Sequence, residues 1–267
     1  MTWASRRCRL QVIACFLALG AAANVEALNN TVATARQGTV GKEESQALAS
    51  GEVAYFGYFL YPNRSYAIWC SPATFEANYA AGNFCDVDLR DNADGVILST
   101  NATVQLATGT EPWPKGGQVL VFTPPGPFDT SQPYFARVST GAGGAQTFRL
   151  MVIETTLSSA WWFVSPASGY DSYVTIRNNT NGARSVMVRA YNSAGALAGS
   201  TTVSVAANGN TLISVGGNLG VPPGTGSVTI THDGLPGAIV ANTTTLSSMT
   251  GLSFDAPFSP RMDWSMH

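Results

Sequence analysis

The chain has 267 residues, 45% of them apolar and only 11% charged, with 27 glycines, 14 prolines and a formal net charge of −2. A near-neutral, slightly acidic chain has no electrostatic reason to bind nucleic acid or an anionic membrane surface. The length leaves room for two ordinary domains or one large one. Low charge with many turn-forming and β-branched residues points to an all-β protein rather than a helical one.

At the start, Arg6, Arg7 and Arg9 precede an apolar run of 14 residues from Leu10 to Ala23. The run ends in small side chains, with Val25-Glu26-Ala27 as a cleavage site and Ala21-Ala22-Ala23 as its competitor. Residues 1–27 therefore read as a secretory signal peptide. The run is shorter than the roughly 20 residues of a membrane-spanning helix, so no transmembrane segment is expected after its removal. Val12-Ile13-Ala14-Cys15 has the outline of a lipoprotein box, and lipidation of Cys15 stays open. The expected location is secreted, periplasmic or at the cell surface. Loss of the signal removes Arg6, Arg7, Arg9 and Glu26 and leaves a more acidic chain. It also leaves two cysteines, Cys70 and Cys85, which read as one disulfide in an exported protein, with two buried thiols as the alternative. No further Cys or His lies close enough in sequence for a zinc site.

Residues 28–50 read as a polar leader segment with one helical turn over Lys42–Leu48. Glu52–Tyr61 is a strand with apolar side chains on both faces, either covered on both sides or exposing an aromatic row. Tyr66–Cys70 is the next strand, and Ser71–Phe84 an excursion closed by the disulfide. Cys85–Gly95 carries Asp86, Asp88, Asp91 and Asp94. Four carboxylates so close together outline a hard-cation loop, and Ca²⁺ is the one cofactor the sequence brings forward. Arg90 sits where an oxygen ligand belongs in the familiar helix-loop-helix calcium pattern, and the alternative is a solvated acidic turn between strands. Short strands follow at Val96–Thr100, Thr103–Ala107, Gln118–Thr123, Tyr134–Thr140 and Gln146–Glu154. Residues 51–155 thus read as a β-sandwich of jelly-roll type. The opening GEVAYFGYFLY, the central DVDL at Asp86–Leu89 and the closing QPYFARVST and TFRLMVI resemble the bacterial pre-peptidase C-terminal domain over Ser50–Ile153. That resemblance implies a jelly-roll accessory module without catalytic residues.

Thr155–Ala160 reads as a linker. Trp161-Trp162-Phe163 then opens a second unit, residues 160–264, and these aromatics pack between the domains or form a ligand platform. Strands are expected at Asp171–Asn178, Arg184–Asn192, Thr201–Val205, Thr211–Val215, Gly226–Thr231 and Ala238–Thr245. That is the count and spacing of an immunoglobulin-like sandwich. The phrases GSVTITHDGLPGAIVAN and TGLSFDAPF look like a C-terminal module of exported bacterial proteins, which implies no activity. Phe254, Phe258 and Trp264 are expected to lie across this sandwich or against the first one.

Catalytic residues do not emerge. His232-Asp233 supplies two members of a nucleophilic triad, but adjacent residues in a turn point apart and no Gly-x-Ser-x-Gly elbow is present. The expected structure is a tight hairpin turn at Thr231–Gly234. Among the aromatics, Tyr55, Tyr58, Tyr61, Tyr66 and Trp69 lie in strands that are mostly core, whereas Trp113, between Pro112 and Pro114, is the best placed to stack on a sugar ring. The leading expectation is a non-catalytic accessory protein whose partner is a glycan or another surface protein. A structural subunit of a surface assembly is the alternative, and a hydrolase with an unrecognised acidic site the third reading. Oligomeric state is not encoded in any feature of the sequence.

Overall fold

The computed structural model describes residues 29–72, 85–99, 105–106, 118–126, 131–140 and 145–261. The expected signal peptide, Trp113 and Trp264 lie outside these residues. The protein is all-β, with two pairs of facing sheets and no α-helix among the described residues. No described helix is long and apolar enough to cross a membrane.

In the first sandwich, one sheet has the order β1 (Arg36–Gln37), β3 (Val53–Tyr58), β9 (Tyr134–Ser139), β5 (Asp86–Arg90), β6 (Val96–Ser99). The facing sheet runs β2 (Glu43–Leu48), β10 (Gln146–Glu154), β4 (Tyr66–Pro72), β8 (Gln118–Phe122), β7 (Gln105–Leu106). Alternate residues point to opposite faces of a strand. Phe56, Tyr58, Val87, Leu89 and Val138 therefore meet Ile68, Leu120, Phe148, Leu150 and Val152 in one buried core. Cys70 lies in β4 and Cys85 immediately precedes β5, so their disulfide ties one sheet to the other.

Two expectations are corrected in this half. Lys42–Leu48 does not form a helical turn. Glu43–Leu48 is β2, paired antiparallel with β10 from Gln146 to Met151. Its signal was hidden because a charged residue occupies an inward position: Glu44 is buried and held by Arg36 at 3.6 Å and Lys42 at 3.8 Å. The supposed leader thus contributes two strands to the sandwich. The acidic segment is likewise only half a turn, since Asp86–Arg90 is a strand with Val87 and Leu89 in the core.

In the second sandwich, the third sheet runs β14 (Leu197–Val205), β13 (Arg184–Asn192), β16 (Gly224–His232), β11 (Leu157–Val164), β19 (Ser259–Pro260). The fourth runs β15 (Asn210–Ser214), β12 (Tyr170–Asn178), β17 (Ile239–Ser247), β18 (Ser253–Pro257). Trp162, Val174, Ile176, Val186, Val188, Val228 and Ile230 are among its core residues. β13–β14 and β17–β18 are hairpins within one sheet; the other connections cross between sheets.

The tight turn at Thr231–Gly234 is therefore also corrected. β16 and β17 belong to different sheets, His232 is still in the strand, and the connection continues through Gly237, which takes the positive φ (78°). The longer connection lets Leu235 pack against Ala67, Trp69 and Val119 on the outer face of the first sandwich. The linker is shorter than expected, because β11 already begins at Leu157. Thr155 and Thr156 make the junction: the Thr155 amide donates to the Ser65 carbonyl at 2.7 Å, and the Ser65 amide donates to Thr156 Oγ1 at 3.0 Å.

Candidate binding groove

The acidic segment comes first, because the sequence singled it out. Asp88 Oδ2 accepts from Arg90 and from Arg137, each at 3.2 Å. Asp94 Oδ1 accepts from Arg90 at 3.1 Å, and the Tyr55 hydroxyl donates to Asp94 Oδ2 at 3.4 Å. Asp91 Oδ1 accepts from the Ala93 and Gly95 amides at 2.9 and 2.7 Å, which closes the turn between β5 and β6. Asp86 lies two residues before Asp88, on the same face of β5. Burial, then the Asp94 hydrogen bond, pushes the Tyr55 hydroxyl up. On Arg90, burial acts downward but the bonds to Asp88 and Asp94 outweigh it and hold the guanidinium above its ordinary value. Asp88 and Asp94 are committed to arginines and Asp91 to the turn, and no three acid, His or Cys residues converge on a metal-sized position among the described residues. A cation would have to displace two guanidinium groups to reach Asp88.

The aromatic candidates divide in the same way. Tyr58, Tyr66 and Trp69 are buried, and burial pushes the Tyr66 hydroxyl up to about 12. Tyr61 is exposed but carries the Arg64 guanidinium over its ring at 4.3 Å.

His232 and Asp233 serve separate structural ends. His232 is buried, its Nδ1 accepts from the Gly234 amide at 3.2 Å, and the Thr155 backbone also bonds the ring. Desolvation lowers its pKa to about 4. Asp233 Oδ1 instead accepts from the Ser185 amide at 3.0 Å.

Trp161-Trp162-Phe163, which the sequence offered as inter-domain packing or a ligand platform, lies in β11 of the third sheet. β11 pairs with β16 through a register shift between Ser159 and Trp162. The bulge sends Trp162 into the core, where its indole N–H donates to the Tyr191 carbonyl at 2.9 Å, and leaves Trp161 and Phe163 on the outside. Trp161 stacks on Phe163 with ring centroids 6.2 Å apart and meets Phe254 edge-on at 6.1 Å. Phe163 in turn packs on Tyr170 at 5.4 Å. Gly226 sits between Trp162 and Asn192, and a Cβ there would collide with the Tyr191 carbonyl, so only glycine lets the strands pass.

Trp161 forms one wall of a shallow cleft of about 410 Å³ whose other walls include Asn192, Ser193, Thr225 and Ser227. Asn192 Oδ1 is used by the Ala194 and Ala196 amides, which leaves its amide N–H₂ uncommitted to the fold. Thr225 Oγ1 donates to the Trp162 carbonyl at 2.8 Å. Ser227 also lines the adjoining cleft of about 310 Å³, with Arg64, Thr156, Tyr191, Thr229 and Arg261. The two clefts share Gly195 and Ser227 in their walls, one with Trp161 on its far side and the other with Arg64 and Arg261. The WWF triplet was the signal; sequence could not say which of its rings faced outward, because the bulge is a property of pairing with β16.

No protein-family model matches the chain, and no curated protein matches it. Among solved structures, a glycosyl hydrolase family 2 member from Bacteroides cellulosilyticus aligns over 78% of this chain and 26% of its own, with 9% identity and a TM-score of 0.22. A Bacteroides uniformis β-glucuronidase aligns over 81% and 25%, with 9% identity and a TM-score of 0.20. The chain spans about a quarter of the length of these structures. Likeness this low carries no argument about what the protein does.

Proposed function

We propose that this protein is a secreted or cell-surface accessory protein, without catalytic chemistry of its own, that holds a glycan in the groove on its third sheet. The observation that carries this is Trp161: a half-buried indole braced by Phe163 and Phe254, beside the polar side chains of Asn192, Ser193 and Ser227. A braced ring presents apolar area to the face of a sugar at little entropic cost, while neighbouring amides and hydroxyls supply the directional bonds. The Cys70–Cys85 disulfide and the basic-apolar start of the chain support export. A glycan array on the mature protein, followed by calorimetry on the hits, tests the reading. Trp161→Ala should weaken binding at least tenfold while the protein stays folded, with a melting temperature lowered by a few degrees for the lost ring contacts. Hits insensitive to that substitution, or no hits, would remove the groove as the site.

A surface-assembly subunit is the second reading. It is favoured by β15, an edge strand of the fourth sheet whose Leu212 is 60% exposed. Exposed edges template strand addition. Sedimentation velocity across a wide concentration range would reveal it as concentration-dependent growth, suppressed by Leu212→Lys.

A further inference from the structure

We infer that β14 is a dimerisation edge, which pairs antiparallel with the β14 of a second copy of this chain about a two-fold axis through Thr202. The inference does not depend on the glycan reading. It differs from the β15 reading in the strand used and in closing at two copies. β14 is the outer strand of the third sheet, bonded to β13 along one side. Among the described residues, nothing outside that ladder hydrogen-bonds the amides and carbonyls of Leu197 to Ser204. Those that point away from β13 are therefore unpaired. Such an edge invites another strand, and proteins ordinarily blunt it with charge, proline, shortness or a bulge. Most edges of the four sheets carry one of these devices. β1, β7 and β19 are two residues long, and β6 is four. β2 carries Glu43 and Glu44, and β18 carries Asp255 and Pro257. β15 is uncharged but only five residues long, and Asn218 caps its end: Oδ1 accepts from the Ser214 amide at 2.7 Å, and the Asn218 amide donates to the Ser214 carbonyl at 2.8 Å. β14 is nine residues long without charge or proline, and the whole stretch from Ala190 to His232 holds no Asp, Glu, Lys or Arg. Its one irregularity, at Ala198, leaves Gly199 to Val205 in regular register with β13.

The regular segment is suited to pairing with itself. Ser200-Thr201-Thr202-Val203-Ser204 reads nearly the same in both directions. About Thr202, the cross-strand pairs are Thr202 with Thr202, Thr201 with Val203, and Ser200 with Ser204. Alternation puts Ser200, Thr202 and Ser204 on the exposed face, and Thr201 and Val203 on the half-buried face. Hydroxyl pairs and β-branched pairs of this kind stabilise neighbouring strands, and no like charges meet. The same operation on β2 would bring the Glu43 and Glu44 carboxylates of the two copies together. Val203 already packs against the core of the second sandwich, so the pair continues the inner layer of both copies. A two-fold contact uses the same edge on each copy, which leaves no free β14 and stops growth at two.

The test is sedimentation velocity of the mature protein across a wide concentration range. The weight-average mass should rise to twice that of the monomer and stop there. Thr202→Lys sets two like charges opposite each other across the axis and should leave a monomer at every concentration. Thr202 is exposed, so a dilute melt of that variant should match the wild type and exclude loss of fold. Leu212→Lys should leave the dimer in place. Thr202→Cys should cross-link to itself on mild oxidation, because directly paired strands bring the two Cα atoms within disulfide range. Ser200→Cys should cross-link only when mixed with Ser204→Cys. A monomer at all concentrations, or a dimer that survives Thr202→Lys, would overturn the inference. Association stopped by Leu212→Lys but not by Thr202→Lys would overturn it in favour of the β15 edge. Growth past the dimer would replace the closed pair with an open assembly. A dimer in which Thr202→Cys fails to cross-link would overturn the axis. The glycan reading stands or falls separately, on Trp161→Ala.

Discussion

The imidazole of His232, on the last residue of β16, is bonded to the backbone of Thr155, the first residue after β10. A side chain of the second sandwich thereby reads the position where the first one ends. Its pKa is lowered to about 4, first by burial, against about 6.5 in an unfolded chain. The folded state therefore favours the neutral ring. The stability this contributes is complete above pH 6.5 and is lost as pH falls through 4, to a total of about 3 kcal/mol. Thermal melts from pH 7 to pH 4 should show a steep decline that His232→Gln flattens. Parallel curves for the two proteins would show that the ring is solvated.

Glu154, nearby, works in the opposite sense. Burial raises its pKa, partly offset by Arg64, so its contribution is present at low pH and fades as pH rises through the folded value. Glu154→Gln should therefore make the melt less sensitive to pH on the alkaline side of the carboxylate range. Wild-type sensitivity there would assign the effect to other acids.

Asp88 accepts from Arg90 on its own strand and from Arg137 on the neighbouring β9, and its removal leaves both guanidinium groups without that acceptor. Asp88→Ala should cost about 2 kcal/mol by denaturant unfolding. Millimolar Ca²⁺ should leave the wild-type melt unchanged, because the arginines already occupy the carboxylate. A calcium-induced rise that Asp88→Asn abolishes would instead place a cation there.

The disulfide closes a sequence separation of 15 residues and joins the two sheets of the first sandwich. Loop entropy alone gives it about 3 kcal/mol, or roughly 6–12 °C in melting temperature for a protein of this size. Reduction, or Cys70→Ser with Cys85→Ser, should produce that drop. A change below a few degrees would mean the sheets hold without it.

Leu235 is the apolar link between the sandwiches, resting on Trp69 and Val119. Leu235→Asp should place a charge on that contact and split a single calorimetric transition into two, while the sheets themselves stay intact by circular dichroism. A single unshifted transition would show that the threonine junction suffices.

Much of this could be read from the chain itself. Period-two alternation located β12 and β13 almost to the residue, because each sets one apolar face against a core, and β10 was found between its turn signals although Met151 and Ile153 make its outer face apolar too. The paired cysteines and the all-β class followed from composition and count. Where an inward position is charged and paired, as Glu44 is by Arg36 and Lys42, the alternation vanished and β2 was missed. The acidic run showed its charges but not its partners, since Arg137 comes from a strand 49 residues away. The Asp-Gly pair pointed to a hairpin, and only sheet membership revealed a crossover that frees Leu235 to dock. The groove was decided by tertiary structure alone. A bulge opposite Ser227 chooses which tryptophan faces out, and pairing of β11 with both β16 and β19 brings Arg261 beside that sheet. Local periodicity reports burial; it does not report which distant strands converge, and the site is made by that convergence.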